Sequence, residues 1–301
     1  MALKKALPDH RLIWIAGLRK SVFKGSLAVL ARGVIDEITD LANVGVQWRE
    51  LLRPPPVGRF DIVIATEPKL RNAVLLRRVK HRVFISPAAN FRLSDRKPAR
   101  GISYPESVYE QMRCLAALAA GRELKIDAKI EVGEENDRRA RELLPDGQEY
   151  IGLAPGSAGA TKRWPLRCYI ELAKHQNRCG LVPVFFLGPE ELTMYGEIAP
   201  AVPTARFPEQ EGPRGGPLFS IALAKRLTLG VANDAGGGHL LAAGGRPLIT
   251  LFGHTSEHKF KPPYGRWIAV NARDYGGIEM ERIPVARVNE EIAKVVYTNH
   301  Q

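Results

Sequence analysis

The sequence is poor in cysteine: Cys114, Cys168 and Cys179 are the only three in 301 residues. An odd number without metal-ligand spacing excludes a disulfide framework and a cysteine-held metal, and it fits a reducing, cytoplasmic compartment. Long apolar runs are also missing, and none approaches the roughly 18 residues that a membrane-spanning helix needs. The opening Met1-Ala2-Leu3-Lys4-Lys5-Ala6-Leu7-Pro8 lacks the apolar core and cleavage site of a secretory leader. No internal repeat and no low-complexity tract is present. Neither a metal nor a cofactor is expected.

Acidic residues are missing from one long window. Between positions 69 and 100 lie Lys69, Arg71, Arg77, Arg78, Lys80, Arg82, Arg92, Arg96, Lys97 and Arg100, against Asp95 alone, a local net charge of +9 within a chain of +12. A field of one sign is not what a merely solubilising surface shows, and it attracts an anionic partner: nucleic acid, acidic lipid headgroups or a phosphorylated sugar.

What remains is ordinary for a globular protein, 45% apolar and 25% charged, in a chain long enough for two domains. Strands are expected at 11–16, 60–65 and 82–86, helices at 71–80, 105–120 and 134–144, and a short extended segment at 127–132. The turn Pro145-Asp146-Gly147 marks a domain boundary. Beyond it strands and helices alternate: strands at 150–154, 182–187, 227–232, 247–252 and 267–270, helices near 166–178, after 191, at 219–225 and from 236. A last helix at 284–297 carries an apolar stripe of Val285, Val288, Ile292, Val295 and Val296. Such alternation predicts an α/β fold with parallel sheets flanked by helices and ligands at the strand C-terminal ends.

The most informative stretch is Tyr150 to Pro165. An apolar strand runs into Pro155-Gly156-Ser157-Ala158-Gly159, then Lys162-Arg163, then a proline where a helix begins. Small residues let backbone amides approach a ligand, and a helix start with two cations favours an anion, so this is a place for phosphate. The spacing is not G-x-x-x-x-G-K-[ST], which excludes a P-loop. Three further strand ends are polar or Gly-rich: Glu190 with Glu191, Asn233 to His239, and Gly253 to Ser256. In a parallel sheet all four meet on one edge, with chemistry that fits a nucleotide: amides and Lys162 for a diphosphate, a carboxylate for ribose hydroxyls.

These segments together resemble a family. Ala154-Pro155-Gly156-Ser157, Lys162-Arg163-Trp164-Pro165, Leu187-Gly188-Pro189-Glu190, Asn233-Asp234-Ala235-Gly236-Gly237-Gly238-His239 and Gly245-Arg246-Pro247 with Leu251-Phe252-Gly253-His254-Thr255 are similar to successive signatures of the bacterial heptosyltransferases of lipopolysaccharide core synthesis, glycosyltransferase family 9. Phe60-Asp61-Ile62-Val63-Ile64 and the basic stretch to Pro98 resemble the family's acceptor domain more loosely. The resemblance implies a GT-B fold of two Rossmann-like domains with a cleft between them. An acceptor domain would occupy 1–147, a nucleotide-sugar domain 148–283, and a C-terminal helix at 284–301 would cross back to the first. It implies inverting transfer of a heptose or similar sugar from a nucleotide-sugar, ADP-heptose above all, to the inner core.

By the same resemblance, Lys162 neutralises the donor diphosphate, Ser157 lies on the phosphates, Asp234, Gly236 and His239 form the Asp-x-Gly-x-x-His donor motif, and Glu190 or Glu191 is the acid near the ribose. Ala235 stands where the family often has threonine. Lys69, Arg71, Arg77, Arg78, Arg96 and Lys97 are the expected acceptor contacts, holding anionic lipid A and inner-core groups at the membrane face in peripheral contact with anionic lipid. Family members begin with a strand and a Gly-Asp turn whose aspartate is the candidate general base. That aspartate is expected upstream of Met1, the first strand is expected to be missing from the acceptor domain, and transfer by the chain as written is expected to be poor. Asp9 and Asp61 are weak substitutes. Two alternatives stand beside the transferase: a sugar-nucleotide-binding protein without catalysis, and a nucleic-acid-binding protein through the basic window. Against the last, no helix-turn-helix, RNA-binding aromatic motif or zinc spacing is present.

Overall fold

The computed structural model describes residues 1–53, 55–125, 130–213, 215–262 and 265–299. The chain divides into two compact units, Met1–Asp127 and Ala128–Gln301. Part of the segment expected to be extended at 127–132 lies outside the described residues.

The first unit holds helix α1 (Ala2–Ala6), strands β1 (Ile13–Ile15), β2 (Glu37–Thr39) and β3 (Arg59–Ile64), helix α2 (Leu70–Leu76), strand β4 (Lys80–Ile85) and helix α3 (Val108–Ala120). Its strands form two separate parallel pairs, β1 with β2 and β3 with β4. Asp61 lies within β3, as the sequence indicates, and faces Arg82 across the ladder at 3.7 Å. The amphipathic α3 buries Leu115 and Ala119 against Ile85 and Phe91 and stops at Gly121 in the left-handed region, φ 69°. Glu50 is buried and accepts the backbone N–H groups of Gly45, Val46 and Gln47 at 2.7, 2.7 and 2.6 Å, which fixes the loop after β2. After β4 the chain turns through Ala89, Asn90 and Phe91 at φ 49°, 52° and 60°. Each is a non-glycine residue in a disfavoured region, held there by the burial of Phe91 edge-on to Tyr104 at 5.3 Å.

The second unit begins with α4 (Glu134–Leu143) and continues β5 (Tyr150–Ala154), α5 (Leu166–Arg178), β6 (Val182–Phe185), α6 (Leu192–Ala201), α7 (Gly216–Ala224), β7 (Leu229–Asn233), α8 (Gly236–Ala243), β8 (Leu248–Phe252), β9 (Trp267–Asn271) and α9 (Val285–Asn299). One parallel sheet runs in the order β6-β5-β7-β8-β9. Every residue of β5, β7 and β8 is buried, which is why these segments are apolar without alternation. α4 packs against α7. The Arg139 guanidinium lies 4.1 Å from the centre of the Phe219 ring, and Arg139 Nη2 donates to the Glu211 carbonyl at 2.6 Å. These contacts draw α4 into the second unit, ahead of the 145–147 turn chosen from sequence. α7 is buried from Phe219 to Ala224, between α4 and α8. The stripe on α9 is used within this unit too. Val288, Ile292 and Val295 join its core, Val285 and Val296 pack against it, and Gln176 of α5 donates to Asn289 Oδ1 at 2.7 Å. Among the described residues no helix is long and apolar enough to cross a membrane.

Candidate functional site

The chain enters the second sheet at β5, adds β6 on one side, then crosses to β7 on the other. The point between β5 and β7 is therefore the topological switch point, where an open α/β sheet leaves a crevice at its strand ends. The loops leaving these two strands carry Ser157, Lys162, Asp234, Gly236 and His239. Lys162 Nζ lies 3.2 Å from Asp234 Oδ2 and 3.5 Å from the Asp234 carbonyl oxygen. The lysine side chain is 30% exposed and the aspartate 6%, so the cation stands at the mouth with its counter-ion beneath. Phe260 covers the ammonium from one side, with its ring centre 5.6 Å away.

The loops themselves are tightly fixed. Ser157 is buried and its Oγ accepts the Gly159 N–H at 3.4 Å, while Arg163 Nε donates to the Ser157 carbonyl at 2.8 Å. Beneath them lies Asn233, the last residue of β7 and fully buried. Its Oδ1 accepts the Trp164 N–H at 3.1 Å, and its Nδ2 donates to the Pro155 carbonyl at 2.8 Å. The Tyr169 hydroxyl lies 3.2 Å from the same Oδ1. One side chain thus ties the start and end of the 155–164 loop to the residue before Asp234. The sequence shows Asn233 only as part of a polar loop, with nothing to mark it as a clamp.

Of the three glycines that open α8, Gly237 and Gly238 lie close to the sheet. A Cβ on Gly238 would stand 2.9 Å from the Asn233 carbonyl oxygen, and one on Gly237 would stand 3.1 Å from the Ala154 Cβ. At Gly238, which faces a backbone oxygen, the helix start comes this close to the sheet because it carries no side chain. His239 is exposed in the first turn of α8 and borders a shallow depression with Asp234, Ala235, Thr250, Phe260 and Pro262.

Glu190 and Glu191, equivalent in the sequence, are placed differently. Glu190 is exposed. The Glu191 carboxylate lies against two glycine backbones: a Cβ on Gly156 would come 2.4 Å from its Oε1 and one on Gly188 2.8 Å from its Oε2. Glu191 therefore joins the 155–159 loop, and Glu190 does not. Behind it stands Glu209, unmarked in the sequence, which accepts from the Leu187 N–H and from the Ser220 hydroxyl. Gln210 Nε2 donates to the Leu187 carbonyl at 2.9 Å, so the segment just after β6 is held on both sides.

Burial pushes the Glu209 carboxyl above its ordinary value of 4.5, against the lowering effect of its two donors. With the native value raised, the unfolded chain ionises first as pH rises above 4.5. The native state then holds more protons, and stability falls with pH across the weakly acidic range. Glu209→Gln is expected to flatten this slope in urea unfolding followed at successive pH values. Identical slopes in the two proteins would remove Glu209 from the account.

In the first unit the expected acceptor residues do not form one set of unattached charges. Arg77 donates to the Leu93 carbonyl, pairs with Asp95 at 2.9 Å and lies over the Phe84 ring. Arg96 Nη1 donates to the Leu118 and Ala119 carbonyls at 3.0 and 2.6 Å and so satisfies the C-terminus of α3. Lys69 pairs with Glu67 at 2.9 Å. Arg71 donates to the Val46 carbonyl and lies over the Trp48 ring. Arg78 and Lys97 are exposed, and no partner is recorded for either among the described residues.

Known proteins resemble this chain in family and in fold. The model of glycosyltransferase family 9 (heptosyltransferase) matches residues 49–282. Lipopolysaccharide heptosyltransferase 2 of Escherichia coli K12 is 32% identical over 141 residues, 45% of this chain and 39% of that protein. Its counterpart in Salmonella typhimurium LT2 is 33% identical over 126 residues, 40% of this chain and 35% of that one. The chain thus matches little more than a third of the length of these curated relatives. Among solved structures, the family 9 glycosyl transferase from Veillonella parvula superposes with a TM-score of 0.64 at 20% identity, covering 99% of this chain and 91% of that one. The E. coli ADP-heptose lps heptosyltransferase II gives 0.64 at 19% identity, covering 100% and 93%. At such identities the structures speak for the fold, and the family match speaks for descent: the chain belongs to glycosyltransferase family 9, the heptosyltransferases.

Proposed function

We propose that the protein transfers a heptose from a nucleoside diphosphate sugar, ADP-heptose by the reading above, to the anionic inner core of lipopolysaccharide, with inversion at the transferred carbon. The observation that carries this is the Lys162–Asp234 pair at the switch point of the second sheet. A cation held at a crevice mouth, beside bare amides from two glycine-containing loops, fits a diphosphate. The ammonium would offset charge as the leaving nucleoside diphosphate develops it, the form of electrostatic assistance that matters most in such displacements. Glu191, against Gly156 and Gly188, is the acid we assign to the ribose, in preference to Glu190. His239 and the α8 amides complete the phosphate side. For the acceptor we assign the exposed Arg78 and Lys97 rather than Arg77 and Arg96, whose guanidinium groups already serve the first unit's own carbonyls.

The test is transfer from ADP-heptose to a deacylated inner-core acceptor, run beside calorimetry with ADP. Transfer together with ADP binding supports the reading. Binding without transfer would favour a sugar-nucleotide-binding protein, and neither would sink both. A second arm uses Arg78→Glu, expected to weaken association with vesicles containing lipid A several-fold while ADP affinity holds. A fall in both, or in neither, would dissolve the assignment of acceptor to the first unit.

A further inference from the structure

The stretch that follows β6 carries Glu191, the acid assigned above to the ribose. From Leu187 to Tyr195 it is held at both ends by one short segment of chain, residues 206–210. Ahead of Glu191, Glu209 accepts the Leu187 N–H, and Gln210 Nε2 donates to the Leu187 carbonyl at 2.9 Å. Beyond it, the Tyr195 ring on α6 meets Phe207 edge-on, with ring centres 4.7 Å apart. Between these ties the Glu191 N–H donates to the Gly188 carbonyl at 3.1 Å, and the Met194 N–H to the Glu191 carbonyl at 2.9 Å. Glu191 therefore stands at the head of α6, in a turn with both shoulders fixed.

The 206–210 segment has anchors of its own. Arg206 bridges Val184 on the outer edge of β6, where the Phe185 N–H donates to the Arg206 carbonyl at 2.9 Å and the Arg206 N–H to the Pro183 carbonyl at 2.8 Å. Phe207 is buried and stacks on Phe185, ring centres 5.7 Å apart. Glu209 accepts a second bond from the Ser220 hydroxyl on α7. The Gln210 Oε1 is buried without a partner among the described residues, so the polar contribution of this amide is its bond to Leu187. The phosphate half of the site depends on other groups. Asn233 ties Trp164 to Pro155, and Lys162 pairs with Asp234. None of these bonds involves residues 206–210.

We propose that Glu209 and Gln210 are positioning residues for the nucleoside half of the donor: they fix Leu187 so that Glu191 meets the ribose hydroxyls, and they contribute nothing to the diphosphate half. The inference rests on the ribose reading of Glu191 given above. The Glu191 carboxylate fits between two bare backbones, since a Cβ on Gly156 would come 2.4 Å from its Oε1 and one on Gly188 2.8 Å from its Oε2. Gly188 directly follows Leu187, so the clamp on Leu187 sets one wall of that slot. Once Leu187 is released the slot widens and the carboxylate gains rotamers. Ribose must then order it again on binding, and that lost side-chain freedom weakens the contact. The loss falls on ligands that carry a ribose and spares those that do not.

The experiment is calorimetry on the full chain with two ligands, ADP and inorganic pyrophosphate, the second of which has the anion without the ribose. Glu209→Ala and Gln210→Ala should each weaken ADP by about 3- to 20-fold, the scale of a weakened hydrogen bond to a charged group, and leave pyrophosphate unchanged. Glu209→Gln keeps an acceptor for the Leu187 N–H and should bind ADP as the unaltered protein does. In a Glu191→Ala background, where the ribose contact is already gone, Gln210→Ala should weaken ADP no further. If Glu209→Ala does not fold, Gln210→Ala, which leaves the Ser220 bond to Glu209 in place, decides the matter alone. The proposal is overturned if ADP and pyrophosphate weaken together, or if Gln210→Ala weakens ADP as much without Glu191 as with it. Unaltered protein that binds neither ligand would overturn the diphosphate site and the clamp together. Unaltered protein that binds both, with ADP affinity unchanged in the folded alanine variants, would overturn the clamp alone.

Discussion

Lys162→Ala is expected to weaken ADP binding by about 10- to 100-fold, the effect of losing a charge-assisted contact worth roughly 1.5–3 kcal/mol. The geometry makes the loss larger than that of a surface lysine. Asp234 is 6% exposed and lies 3.2 Å from the ammonium. Without the cation, its carboxylate stands uncompensated at the place a phosphate must approach, so repulsion adds to the lost attraction. The double substitution Lys162→Ala with Asp234→Asn should therefore bind ADP better than Lys162→Ala alone, and the cycle should show clear coupling. Calorimetry of the four proteins measures it. Unchanged affinity in Lys162→Ala would exclude the lysine from the site, and strict additivity would mean that Asp234 does not face the ligand.

Asn233→Ala should be the most destabilising change in the second unit outside its apolar core. It leaves the Trp164 N–H and the Pro155 carbonyl without their buried partner. Each unsatisfied group costs about 1–3 kcal/mol, so a loss of roughly 2–6 kcal/mol is expected. Urea unfolding followed through the buried Trp164 gives the value. ADP affinity should fall as well, because the 155–164 loop and Asp234 are fixed by the same side chain. A loss under about 1 kcal/mol with ADP affinity intact would mean that the loops hold their places without the clamp.

The second unit was legible because its physics is repetitive. Strands such as Tyr150–Ala154 and Leu248–Phe252 are buried on both faces, which forces apolar residues in unbroken runs. Gly237 and Gly238 reflect closeness to Ala154 and to the Asn233 carbonyl, and such closeness leaves a sequence trace. Partnership leaves none. Arg77 and Arg96 counted as free charge in a basic window, yet their guanidinium groups serve carbonyls 16 to 23 residues away in sequence. Glu191 differs from Glu190 only in the direction it faces, and Glu209 acquires its role from Leu187 and Ser220 across the fold. β2, three residues within a stretch of turns, is too short for any period to appear.

The two separate strand pairs of the first unit also bear on how the protein is made. A ribosome extends a chain by roughly 5–20 residues each second, and N-terminal units emerge first. The second sheet cannot close until β9 and α9 have been added, so the first unit spends on the order of ten seconds or more outside the ribosome while synthesis continues. During that interval, as in the finished chain, β1 and β3 each have one edge without a partner strand among the described residues, and such edges nucleate intermolecular pairing. Yield in the cell should therefore depend on holdase chaperones and on growth temperature well before the folded protein's own stability becomes limiting.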